Sequence, residues 1–157
     1  MHSRRTNIAQ LGSVAAVVLL AACASSPGPK FNSLSVVPEG KGLIYVFRNP
    51  RFGLNGTYTI AIDDRTVGVL RSGEFIEVSV EPGLRVVGLN PTANGMFDLG
   101  SGVRNGKVDV DVRSGATRFI RVVFDSDLGP CCAKVVFQPM QEREALPELR
   151  ETTRAAH

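Results

Sequence analysis

The feature that most restricts the fold of this chain is its punctuation. From Gly42 onward, short runs rich in Val, Ile, Phe and Thr are cut at close intervals by turn-forming residues. Residues 43–48 form an apolar, aromatic run suited to a buried strand. Residues 57–63 alternate, with Tyr58, Ile60 and Ile62 on one face, because successive side chains of a strand point to opposite sides. Asp63-Asp64-Arg65 reads as a tight turn into a second strand over 66–70, which makes a hairpin. Ser72-Gly73 then precedes a strand over 74–80, and Pro82-Gly83 precedes one over 84–89. Residues 107–113 show the clearest half-buried pattern, with Val108, Val110 and Val112 inward and charges outward. Ser114-Gly115 leads into 116–124, and a last strand is expected over 133–138.

Many short strands with no long helical pattern between them predict an all-β chain. The expected architecture is an antiparallel β-sandwich or open barrel of about 7–8 strands with a short C-terminal helix. The stretch 90–106, rich in Asn and Gly, is the longest irregular segment. The tail over 140–156 has helical composition, with Leu146 and Leu149 as its apolar contacts. Pro147 is expected to break or restart that helix.

The N-terminus has a different character. Arg4 and Arg5 supply positive charge, an apolar run over 14–20 follows, and the small residues Ala21 and Ala22 lead into Cys23. This order is that of a secretory signal, and the apolar run falls short of the roughly 20 residues a spanning helix needs. Leu20-Ala21-Ala22-Cys23 resembles the bacterial lipobox. That resemblance implies a diacylglyceryl group on the Cys23 sulfur, cleavage before Cys23, and further acylation of the new amino group. Each buried methylene contributes about 0.8 kcal/mol, so two or three chains hold a protein durably on a membrane. The alternatives are an ordinary secretory signal with an incidental cysteine and a short membrane anchor. Ala24 and Ser25 follow, with no Asp after the cysteine, which in Gram-negative bacteria resembles outer-membrane destination. The expected organisation is a lipoprotein signal peptide over 1–22 and a lipidated N-terminus with a flexible Ser-, Pro- and Gly-rich tether over 23–40. A β-sandwich domain with a helical tail follows over 41–157.

Charge weighs against a nucleic-acid partner. The chain carries 18 basic and 15 acidic residues, and removing Arg4 and Arg5 with the leader leaves 16 against 15. The remaining Arg and Lys alternate with Asp and Glu, a mixed solvated surface and not a phosphate groove.

The strand-and-turn pattern also resembles a family. Tyr45, Arg48 and Pro50 close an aromatic strand, and Ile60, Ile62, Asp63 and Asp64 make an acidic hairpin. Val67-Gly68-Val69-Leu70, Gly73, Phe75 and the turn Val80-Glu81-Pro82-Gly83 follow. Over about 42–149 this is similar to a bacterial family of envelope lipoproteins with a small exported all-β domain of unknown function. Members often have Asp-Gly where Asp63-Asp64 stands and His where Arg85 stands. The resemblance implies a location and a fold, and no activity.

Catalytic chemistry finds few candidates. The two histidines are His2 and His157, which leaves the domain without an internal His as base, shuttle or ligand. No nucleophile elbow, P-loop or dinucleotide fingerprint occurs. No catalytic residue, metal site or cofactor is expected. Asp109 and Asp111 share a strand face and could bind a cation or act as an acid/base couple, but ordinary period-two patterning accounts for them. Cys131 and Cys132 are a possible disulfide in an oxidising compartment, or a buried pair. Arg48 and Arg85 are expected in ion pairs at strand ends, and Tyr45, Phe47 and Phe52 in or beside the core.

The function expected from these features is a membrane-anchored, non-enzymatic envelope lipoprotein that binds or braces through protein contacts. Its partners are the membrane, through the lipid, and an envelope protein, with no nucleic acid. It is expected on the outer membrane facing the periplasm. The rival readings are a small-molecule or glycan-binding module of the envelope and a carboxylate-dependent hydrolase centred on Asp109 and Asp111.

Overall fold

The uninterrupted apolar run Gly42–Phe47 forms strand β1 and is buried along its whole length. A strand whose two faces both avoid water must lie between two covering layers, so this segment alone requires a core on each side. A computed structural model of the chain describes residues 28–51, 56–90, 104–125 and 134–155. It is an all-β sandwich. Beyond β1 it contains β2 (Tyr58–Ile62), β3 (Arg65–Leu70), β4 (Glu74–Val80), β5 (Gly83–Leu89), β6 (Arg104–Asn105) and β7 (Lys107–Val112). Then come β8 (Thr117–Asp125), β9 (Lys134–Met140), helix α1 (Glu142–Leu149) and β10 (Thr153–Arg154). One sheet has the order β10-β4-β1-β8-β9-β6 and the other β3-β2-β5-β7.

The two sheets enclose the main core. Ile44 and Val46 from β1 and Ile120 from β8 meet Ile60 from β2, Val87 from β5 and Val112 from β7, all 1% exposed or less. The period-two readings of β2 and β7 hold: Tyr58, Ile60 and Ile62 face this core, as do Val110 and Val112, with Val108 at its margin. The opposite face of β1 presents Leu43, Tyr45 and Phe47 to a second cluster with Phe75 and Phe119. That cluster is roofed by Ala145 and Leu149 of α1 and by Phe31, which comes from the segment before β1.

Several expectations need correction. The expected tether does not run free as far as residue 40. Residues 28–40 form a strap across the six-stranded sheet, with Phe31 7% exposed and edge-on to Tyr45 and Phe75 at ring distances of 6.1 and 5.6 Å. Backbone bonds fasten it: Phe31 N–H donates to the Thr152 carbonyl at 3.0 Å, and Arg154 N–H to that of Pro29 at 2.8 Å. A Cβ on Gly28 would overlap the Arg154 carbonyl, so glycine allows the approach. The Ser, Pro and Gly content concealed a few apolar residues spaced to reach the sheet. Pro147 neither breaks nor restarts α1, since it lies inside the helix. Only the bond to the Arg143 carbonyl is lost, and both residues are exposed, so water can satisfy that group.

The strands number ten among the described residues, two more than the eight segments expected. The additions, β6 and β10, have two residues each, too short to show a period. Antiparallel pairing dominates, but β1–β8, β4–β10 and β6–β9 are parallel. Between β1 and β8 the chain crosses to the other sheet and returns more than once, and such long connections are what parallel neighbours need.

Candidate functional site

A cleft of about 490 Å³ lies between β2 and β3 of one sheet and β4 of the other, within the range typical of ligand sites. Ile62 of β2, Val67 of β3 and Val78 and Val80 of β4 line it, with Asp63, Arg65, Glu81 and Arg85 around it. Local chain geometry sets each of these. Asp63 and Asp64 form the β2–β3 turn with φ of 50° and 61°, the left-handed pair that a two-residue hairpin of matching twist requires. The Asp63 carboxylate accepts the Val86 N–H and an Arg85 guanidinium N–H, both at 2.9 Å. The Val86 amide, with help from Arg85, holds the Asp63 carboxyl below the usual carboxylate range, so it stays ionised. The Arg85 guanidinium also donates to the Glu81 carbonyl at 2.9 Å and to that of Pro82 at 3.2 Å, which ties the hairpin turn to the β4–β5 turn. Glu81 pairs with Lys41.

Arg65 differs from these groups. Its field reaches Asp63, but among the described residues it closes no ion pair. It stands opposite Ile62 in the ladder and lines the cleft beside Val67. The β2–β3 register slips between Ile60 and Ala61, a bulge that places Val67 outside the regular pairing. Gly68 follows it, where a Cβ would lie 3.0 Å from Ile76, so a side chain there would press on the core.

The backbone around the cleft is open too. Among the described residues β3 ends its sheet, and β10 pairs with β4 at Glu74 and Phe75 alone. Arg48 N–H bonds to the Glu74 carbonyl, and Ala155 N–H to that of Phe75. Alternation along an antiparallel strand therefore turns the Glu77 and Ser79 N–H and C=O groups away from β1, along the margin β10 leaves uncovered.

The residues singled out from sequence fall elsewhere. Asp109 and Asp111 lie on the exposed face of β7, an edge strand, where Asp111 approaches Arg113 at 3.7 Å. Arg85 is in an ion pair at a strand end, as expected. Arg48 is 1% exposed, with its guanidinium 4.8 Å from the Tyr58 ring centre and donating to the Gly56 carbonyl at 2.6 Å. Burial lowers its pKa and raises that of Tyr58. Tyr45 and Phe47 are core residues. Cys23, Cys131, Cys132, Phe52 and most of the 90–106 stretch lie outside the described residues. Among the described residues, no group of three or more His, Cys, Asp and Glu could hold a metal, and no helix is long and apolar enough to cross a membrane.

Sequence reasoning missed Glu77, which fastens the strap. Its carboxylate accepts the Ser35 hydroxyl at 2.7 Å and the Arg154 guanidinium at 3.1 Å, and it also bonds to the Tyr45 hydroxyl. The Ser35 N–H donates to that same hydroxyl at 2.9 Å. Burial pushes the Glu77 pKa up, but the bonds from Tyr45, Ser35 and Arg154 outweigh it and hold the carboxyl below the usual carboxylate range. A Glu within an alternating strand carries no sign of such partners; only its place opposite Tyr45 could have hinted at them.

No protein-family model, curated protein or solved structure matches the chain.

Proposed function

We propose that this chain is a lipid-anchored, non-catalytic binding module of the bacterial cell envelope, working through contact with another envelope protein. The observation that carries the contact reading is the margin of β4 from Glu77 to Val80, which no described strand pairs with on that side, beside a cleft with Ile62, Val67, Val78 and Val80 in its lining. Exposed strand edges are templates for pairing with another chain unless the protein blunts them. The acidic groups of the cleft serve as structural partners, Asp63 to Val86 and Arg85 and Glu81 to Lys41, which suits recognition better than proton transfer.

The anchor rests on the charge, apolar run and small residues that precede Cys23, and Ala24-Ser25 favours the outer membrane, facing the periplasm. Because the strap is docked from Gly28, acyl chains on Cys23 would hold the domain on a short lead. Five residues span at most about 18 Å when fully extended. A possible disulfide between Cys131 and Cys132 fits the same oxidising compartment.

The test is in vivo photo-crosslinking from several surface positions of the membrane-bound protein. A specific envelope partner is expected. Absence of any partner, with turnover of a cell-wall substrate by the purified protein, would overturn the reading. The cleft's volume favours a second reading, a small-molecule or glycan-binding module. Specific thermal stabilisation by an envelope metabolite, without a protein partner, would establish it.

A further inference from the structure

The geometry points to the β4 margin from Glu77 to Glu81 as a strand-addition site for an extended peptide with an apolar residue facing the cleft and an acidic residue beside Arg65. This inference rests on the protein-contact reading above and names the class of partner.

Three independent features require the same occupant. First, Glu77 and Ser79 offer backbone donors and acceptors along a lane that β10 begins and then leaves after Phe75. A third strand running in that lane is the ligand that matches this spacing. Second, side chains alternate, so every second residue of the added strand enters the cleft over Val67, Val78 and Val80, where an aliphatic group displaces water from an apolar floor. Third, charge decides the remaining position. Asp63 is satisfied by Arg85, and Glu81 by Lys41, which leaves Arg65 as the cleft cation without an ion pair among the described residues. A carboxylate on the incoming strand complements it, whereas a basic side chain there meets repulsion.

The competing edge is less suited. β3 carries the bulge at Val67, which twists its margin and interrupts its hydrogen-bonding repeat, a common device for discouraging strand addition. The pairing of β4 with β1 keeps an unbroken register from Gly42↔Val80 to Phe47↔Phe75. The regular edge is therefore the receptive one.

The test uses the full lipidated protein in detergent micelles and a pool of hexapeptides alternating threonine with valine, isoleucine or leucine. Each peptide carries one aspartate, and a matched pool carries lysine instead. Amide hydrogen exchange is read at Glu77 and Ser79. The aspartate pool is expected to protect both amides, with the lysine pool about tenfold weaker, and Arg65→Glu should reverse that order. Ser79→Pro removes an outward N–H that β1 does not use, and it should abolish binding while leaving the thermal unfolding profile in place. Equal binding by Ser79→Pro, or indifference of both pools to Arg65→Glu, would overturn the inference. Protection of the two amides before peptide is added would overturn it as well, by showing the lane filled by the chain itself. Protection that instead grows with protein concentration alone would assign it to a second copy. No protection by any peptide would sink the strand-addition site, and crosslinks to a partner from other surfaces would show that the broader protein-contact reading survives.

Discussion

The outer face of the six-stranded sheet and the β7 end of the four-stranded sheet's outer face are treated in opposite ways. On the six-stranded sheet, Tyr45, Phe75 and Phe119 are covered by the strap and α1, and Tyr45 stacks on Phe119 with ring centres 5.7 Å apart. On the four-stranded sheet, Asp109 and Asp111 of β7 are exposed to solvent, and neighbouring Leu84 of β5 is 66% exposed. The difference is written into the strands. β1 is apolar at consecutive positions because it has two dry faces, whereas β7 alternates because it has one. A covering layer is therefore a consequence of side-chain pattern, and the strap belongs to the fold as much as the sheets do.

The largest expected effect tests whether the covered face is a true core. Tyr45→Ala removes a fully buried ring from beneath the strap and should cost about 3–5 kcal/mol in denaturant unfolding. A loss within the range of surface substitutions would show that the strap packs only loosely. Glu77→Ala should come next, at about 2 kcal/mol, since it leaves Ser35, Tyr45 and Arg154 without their shared acceptor. Protease cleavage within 28–40 should then precede global unfolding.

The same carboxylate predicts a pH dependence. Its pKa is lowered by folding, so its contribution is complete above about pH 4.5 and is lost as pH falls through its depressed value. Wild-type strap protection, read by exchange at the Phe31 amide, should fall on acidification below that point. Glu77→Gln should be weaker at neutral pH and lose less on acidification. An identical acid profile in the variant would remove Glu77 from the clasp. A smaller gain is expected from Asp64→Gly, which relieves a left-handed residue that donates no hydrogen bond to the turn. It should stabilise the hairpin by about 0.5–1 kcal/mol, less the exposed contact with Lys107, and a lowered Tm would contradict the turn geometry. On the exposed side of β7, Asp111→Asn should leave the Tm unchanged, as befits a solvated side chain with no structural duty.

Much of the sandwich was legible because alternation and turn chemistry are local. The Asp63-Asp64 hairpin and the inward valines of β7 could be read from a few neighbouring residues. What escaped depended on distant partners. Phe31 looks like an isolated apolar residue in a polar stretch until Tyr45 and Phe75 are placed beneath it. β10 has two residues and exists only because β4 offers an edge. The cleft was harder still. Val67, Val78 and Arg65 each read as ordinary strand positions, and only the packing of β3 beside β4 brings them together. The carboxylates on β7 share a face two residues apart, a spacing that any amphipathic strand produces.

Acylation of Cys23 is the proposal on which the envelope reading stands, with the described domain docked at least from Gly28, and the intact mass of the protein extracted from its own membrane measures it. The expected species starts at Cys23 and carries the added mass of two or three acyl chains. A chain that retains residues 1–22, or one that begins at Cys23 without acyl mass and stays in the aqueous extract, would contradict it.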